Sequence, residues 1–188
     1  QSIEPEADKL NIYYDFCFPD HTDKILCNEW QRNQLYNLFG VNKDIYAFLK
    51  RTFDNPLFLH QLTPLCEYFY KRSKVGNNSK MYIHLQKKWI DIACFNKKGL
   101  LFANSFEYGD IHDAAYYILN VWEQQGFDQE KDELQLTGDK EPRQIITRIA
   151  QEYIRQVMPS IFPPQLFKLG KETLEAPFDL TVIPLCEL

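Results

Sequence analysis

The densest run of chemically capable side chains is Asp110-Ile111-His112-Asp113, two carboxylates around an imidazole. Such a cluster could ligate a metal or share acid–base work. It stands just after Gly109 and just before a long apolar-periodic stretch. There the same acids suit a helix start: Asp110 as N-cap and Asp113 at the positive end of the helix dipole. Asp91 and Glu107 could belong to a two-metal nuclease, which needs clustered carboxylates. The expected first strand, Met81–Leu85, supplies none, and Asp91 reads as a solvent-facing acid on an alternating strand. Cys17, His21 and Cys27 lack the spacing and fourth ligand of a zinc site and read as two core thiols and a loop histidine. His60, within Leu57–Leu62, reads as a packed strand residue, and no serine stands in a nucleophile-elbow context. No metal site is expected.

Phosphate chemistry fares no better. The 188 residues hold only seven glycines: Gly40, Gly76, Gly99, Gly109, Gly126, Gly138 and Gly170. No two are close enough for GxGxxG, GxxxxGK or GG, which excludes every glycine-paired phosphate loop. Against 26 acids there are 21 Lys and Arg, a net charge of −5, opposite in sign to a general nucleic-acid or anionic-membrane binder. The basic residues come in scattered pairs such as Lys71-Arg72, Lys87-Lys88 and Lys97-Lys98, which suit helix ends and turns. Five cysteines, an odd number without CxxC, read as free thiols in a reducing compartment. No run approaches the roughly 18 apolar residues of a membrane span, and no signal peptide is visible, so a cytoplasmic protein without membrane insertion is expected.

The elements that must position these groups follow from periodicity and turn chemistry. Residues 1–9 read as a loose lead-in and Leu10–Phe18 as a strand, from its aromatic content. Ile25–Trp30 and Leu35–Val41 read as strands. Asn42 then caps a helix carrying Ile45, Phe48, Leu49 and Phe53 at helical spacing. Leu57–His60 reads as a buried strand, and Thr63-Pro64 starts a second helix. The polar stretch Ser73–Lys80 marks a domain junction. Beyond it come strands at Met81–Leu85, Trp89–Asn96 and Leu100–Tyr108, a helix from Asp110 to Gly126, and a strand at Leu134–Thr137. A helix from Pro142 follows, with Ile146, Ile149, Tyr153 and Val157 facing in. A fifth strand at Leu166–Leu169 and a short helix near Phe178–Leu185 close the chain.

Three antiparallel strands, helix, strand, helix, strand is the element order of the ribonuclease H-like fold. Within this half LLFANSFEY, DAAYYILNVWEQQGFD and LQLTGD resemble an uncharacterised bacterial family with an actin-like ATPase fold. They are more distantly similar to the actin-like assembly proteins of type IV pilus systems. The resemblance implies an α/β (α+β mixed-sheet) architecture of tandem ribonuclease H-like subdomains, with residues 80–188 as the second and residues 1–79 as an incomplete first. It further implies a nucleotide site: an acid and a glycine in the first hairpin, and paired glycines in an adenosine loop. At the hairpin positions this sequence has His84 and Gln86, followed by Lys87-Lys88. At the adenosine loop it has Thr137-Gly138-Asp139. Both motifs are degraded.

The expected function is thus a non-catalytic, actin-like-fold binding or assembly module without a cofactor. The alternative is a divergent ATPase of the same superfamily using ATP and Mg²⁺, with Lys87 or Lys88 replacing backbone donors. A protein partner is expected, because the aromatic surplus exceeds what one core face can use; Tyr116, Tyr117 and Trp122 are the candidate interface residues.

Overall fold

The computed structural model describes residues 7–30, 35–159 and 176–186, with the single positions 163, 166, 170 and 173. The chain divides into two compact units between Thr63 and Pro64. The division falls earlier than the polar stretch at Ser73–Lys80, because the helix that starts at the division point packs Phe69 on Tyr82 of the strand beyond that stretch.

The first unit holds α1 (Ala7–Cys17), β1 (Lys24–Trp30), β2 (Leu35–Val41) and α2 (Lys43–Thr52). β1 and β2 form a two-stranded antiparallel sheet, as their apolar runs suggest. The expected strand at Leu10–Phe18 is instead the helix α1. Its rings also recur at helical spacing, and Tyr14 meets Phe18 one turn on at 4.8 Å between centroids. Asn42 caps α2 as expected, its side chain accepting from the amides of Asp44 and Ile45. Ile45, Phe48 and Phe53, which recur at helical spacing, are all exposed. Leu57–His60 forms no strand. The Asn28 side chain binds it instead, donating to Phe58 O and accepting from His60 N, both at 2.8 Å.

The second unit is built on a five-stranded sheet in the order β5-β4-β3-β6-β7. Its strands are β3 (Lys80–Leu85), β4 (Trp89–Asn96), β5 (Gly99–Glu107), β6 (Glu133–Gly138) and β7 (Gln156–Pro159). β3, β4 and β5 run antiparallel through tight hairpins. β6 joins β3 in parallel and β7 joins β6 in parallel, each after a helical crossover. The fifth strand of this sheet is Gln156–Pro159; the expected strand at Leu166–Leu169 lies, except for Leu166, outside the described residues. Val157, expected on a helix face, belongs to it, and Tyr153, expected inside, is exposed.

Four helices complete the unit: α3 (Leu62–Ser73), α4 (Ile111–Gln124), α5 (Lys140–Ala150) and the short α6 (Phe178–Val182), followed by a 3-10 turn at Ile183–Leu185. Met81, Ile83 and Leu85 alternate onto the face packed by Ile118, Trp122 and Ile146 of α4 and α5. Tyr82 and His84 alternate onto the other face. There Phe69 of α3 stacks on Tyr82 at 4.4 Å, and Phe178 of α6 lies 6.1 Å from the His84 ring. Both faces are covered, so all six residues of β3 are buried. Asp91 is buried as well, against the expectation of a solvent-facing acid, and it accepts from the Ser105 hydroxyl at 2.6 Å.

The Asp110–Asp113 cluster is a helix cap. Asp110 accepts from His112 N at 2.8 Å, and Asp113 accepts in return from Asp110 N at 3.0 Å, a complete capping box. Asp110→Ala should lower stability by about 1 kcal/mol, read by urea unfolding.

Candidate functional site

β3 and β6 end side by side at Leu85 and Gly138. Their carboxyl ends, the first turn of α5 and the start of α6 enclose a cleft of about 820 Å³. This is the edge of an α/β sheet where ligands commonly bind. The structure brings His84, Gln86, Gly138 and Asp139 together there.

His84 forms the floor and is almost wholly buried. The Thr137 hydroxyl donates its only hydrogen to Ile83 O at 3.0 Å, so at the 3.2 Å contact with His84 it must accept from Nδ1–H. That fixes the imidazole tautomer and leaves Nε2 as an acceptor, with the Gln86 amide at 3.4 Å and the Asp179 carboxylate at 4.0 Å. Burial pushes the His84 pKa down, opposed by the negative charges of Asp91, Asp179 and Asp139. The imidazole is thus neutral at pH 7.

One amide of the hairpin and one of the loop are engaged within the fold. Gln86 N donates to Trp89 O at 2.9 Å, closing the turn that carries the exposed Lys87 and Lys88. The Tyr108 hydroxyl donates to Gln86 O, and Tyr108 N donates to Lys88 O at 2.9 Å. Across the sheet, Asp139 N donates to Leu85 O at 2.8 Å. Gly138 has φ +90, and a Cβ there would overlap Leu85 O and lie 2.7 Å from Leu85 N. This glycine permits the close approach of two strands.

Lys87 lies on a neighbouring cavity of about 550 Å³, which also touches Asp139. Sequence reasoning missed Lys140, Arg143 and Asp179, all of which line the larger cleft. The i, i+3 spacing of Lys140 and Arg143 after a strand end could have signalled the first two. Nothing local in the sequence joins Asp179 to His84.

The three candidate interface rings part company. Tyr116 is 65% exposed. Tyr117 is half-buried, stacked on Phe106 at 4.9 Å. Trp122 is a core residue at 3% exposure, packed edge-on to Phe127, because the wide apolar face of α4 lies on the sheet. His21 binds Asp15 at 2.7 Å, and among the described residues no three His, Cys, Asp or Glu side chains could hold a metal ion.

The strand order, the two parallel crossovers and the cleft at the strand ends define a mixed α/β protein of actin-like ATPase fold. The chain belongs to the family described as protein of unknown function (DUF3822), whose model matches residues 6–157. It is also similar to a crystal structure from Bacteroides thetaiotaomicron VPI-5482, described as a protein with actin-like ATPase fold and unknown function. That similarity has a TM-score of 0.81 and 31% identity, over 99% of this chain and 68% of that one. No curated protein matches. No helix among the described residues is long and apolar enough to cross a membrane.

Two outcomes follow for the site. Gly138→Ala should destabilise the protein by about 3 kcal/mol or more, measured by urea unfolding, since both the positive φ and the Leu85 contact oppose a side chain. His84 titrates below its unfolded value of about 6.5, so the unfolded chain takes up the proton first as pH falls. Its contribution is fully present above that value and is lost on the acid side. The melting temperature should therefore drop more steeply between about pH 7 and pH 5 in the wild type than in His84→Gln.

Proposed function

We propose that this chain is a non-catalytic, actin-like-fold binding or assembly module whose nucleotide site is degenerate, and that it needs no cofactor. One observation carries the reading: the amides of Gln86 and Asp139, at the two loops where this fold would grip phosphate, donate to Trp89 O and Leu85 O instead. A phosphate arriving there meets the exposed Asp139 carboxylate and a neutral His84 beside the cations Lys140 and Arg143, and neither of those two loop amides is free to grip it.

In this reading residues 80–188 are the second ribonuclease H-like lobe and residues 1–79 a partial first one. The partner is a protein, with Tyr116 and the partly covered Tyr117 as contact rings. Nucleic acid is disfavoured by the net charge of −5. The buried thiols Cys66 and Cys94 fit a cytoplasmic setting in which they stay reduced.

Calorimetric titration with ATP and Mg²⁺ tests the reading. The expected result is no binding tighter than about 100 μM, roughly 5–6 kcal/mol. Tighter binding, with turnover abolished by replacing Lys87 and Lys88 with alanine, would establish the divergent ATPase in its place.

A further inference from the structure

A second cavity, of about 590 Å³, lies at the opposite ends of the same two strands, where β3 begins with Lys80 and β6 with Glu133. Six residues of strand separate it from the cleft, roughly 17 Å. Its size suits a small organic ligand.

The walls are built from buried charge. Lys80 is 4% exposed and paired with Glu133 at 2.7 Å. Lys71 is held 3.5 Å from the buried Glu67. The remaining cation is Arg72. Its Nη1 donates to the Tyr68 hydroxyl at 3.3 Å, and its guanidinium carbon sits 5.7 Å from that ring's centre. No carboxylate among the described residues pairs with it. Among the described lining residues three cations, Lys71, Arg72 and Lys80, stand against one carboxylate, Glu133, and with Lys71 and Lys80 paired the positive charge centres on the planar fork of Arg72.

Two buried polar atoms in this corner have no hydrogen-bond partner among the described residues: Arg72 Nε and the Tyr82 hydroxyl. Burial raises the Tyr82 pKa; Arg72 opposes that, while Glu133 and Tyr68 reinforce it. The phenol therefore has the cavity's own side chains as its electrostatic neighbours. Native interiors rarely leave such groups unpaired, so Arg72 Nε on the wall and the Tyr82 hydroxyl packed behind it call for an acceptor. Val75 and Leu185 add apolar lining.

We infer that this cavity binds a small organic monocarboxylate, with its head group on Arg72 and its apolar tail along Val75 and Leu185. A guanidinium fork matches the two oxygens of a carboxylate. The Glu133 carboxylate on the same wall opposes a phosphate dianion more than a monoanion. The inference is independent of the nucleotide question, since it uses the other end of the strands.

The test titrates the 188-residue chain with hexanoate, hexanol and inorganic phosphate, followed by amide NMR shifts. Hexanoate should bind saturably, with the largest shifts near Arg72 and Lys80, while hexanol and phosphate should not saturate. Arg72→Met should abolish the response. Tyr82→Phe keeps the Phe69 stacking and should weaken binding at least about threefold, so it decides the matter if the arginine variant is misfolded. No saturation by hexanoate up to about 10 mM would overturn the inference. So would equal binding of hexanol or phosphate, or unchanged hexanoate affinity in Tyr82→Phe.

Discussion

Covering both faces of the central sheet is the constraint from which most of the second unit follows. Once α3 and α6 lie on one side and α4 and α5 on the other, the buried polar side chains of β3, β4 and β6 cannot rely on bulk water. An unpaired buried polar group costs about 1–3 kcal/mol, against a total stability of only about 5–15. The sheet answers with internal pairs: Lys80 with Glu133, His84 with Thr137, Asp91 with Ser105. Those pairs run along the face where the aromatic layer of Phe69, Tyr82 and Phe178 packs.

The same constraint shapes the cleft. At the ends of β3 and β6 two loop amides, Gln86 N and Asp139 N, are tied back into the sheet. Asp139 N reaches Leu85 O because Gly138, lacking a side chain, lets the strands close up. A sequence short of glycine keeps one here for strand contact. The side chains that line the cleft include a neutral imidazole, two carboxylates and the cations of α5.

The second unit was largely legible because its elements are local. Hairpins at Gln86–Lys88 and Asn96–Gly99 and the Asp110 cap are written in adjacent residues, and the apolar runs fix strands β3 to β6 directly. The first unit was harder to read. The aromatic run at Leu10–Phe18 satisfies both a strand's chemistry and a helix's period, and Ile45 and Phe48 carry a stripe that the unit leaves exposed. Asp91 and Trp122 were misassigned for one reason: their burial depends on α3 and α4 lying across the sheet, a fact no neighbouring residue encodes. His84 and Gly138 were found by position, and their roles came from Thr137 and Leu85, residues far away in sequence or on the paired strand. Asp179 joins the cleft only because the tail folds back as α6.

The central claim is that the two loop amides belong to the fold and not to a ligand. Hydrogen–deuterium exchange at Gln86 and Asp139, with and without saturating Mg²⁺-ATP, tests it most directly. The account predicts slow exchange at both amides without nucleotide and no change when it is added. Rapid exchange that becomes protected by Mg²⁺-ATP would contradict it.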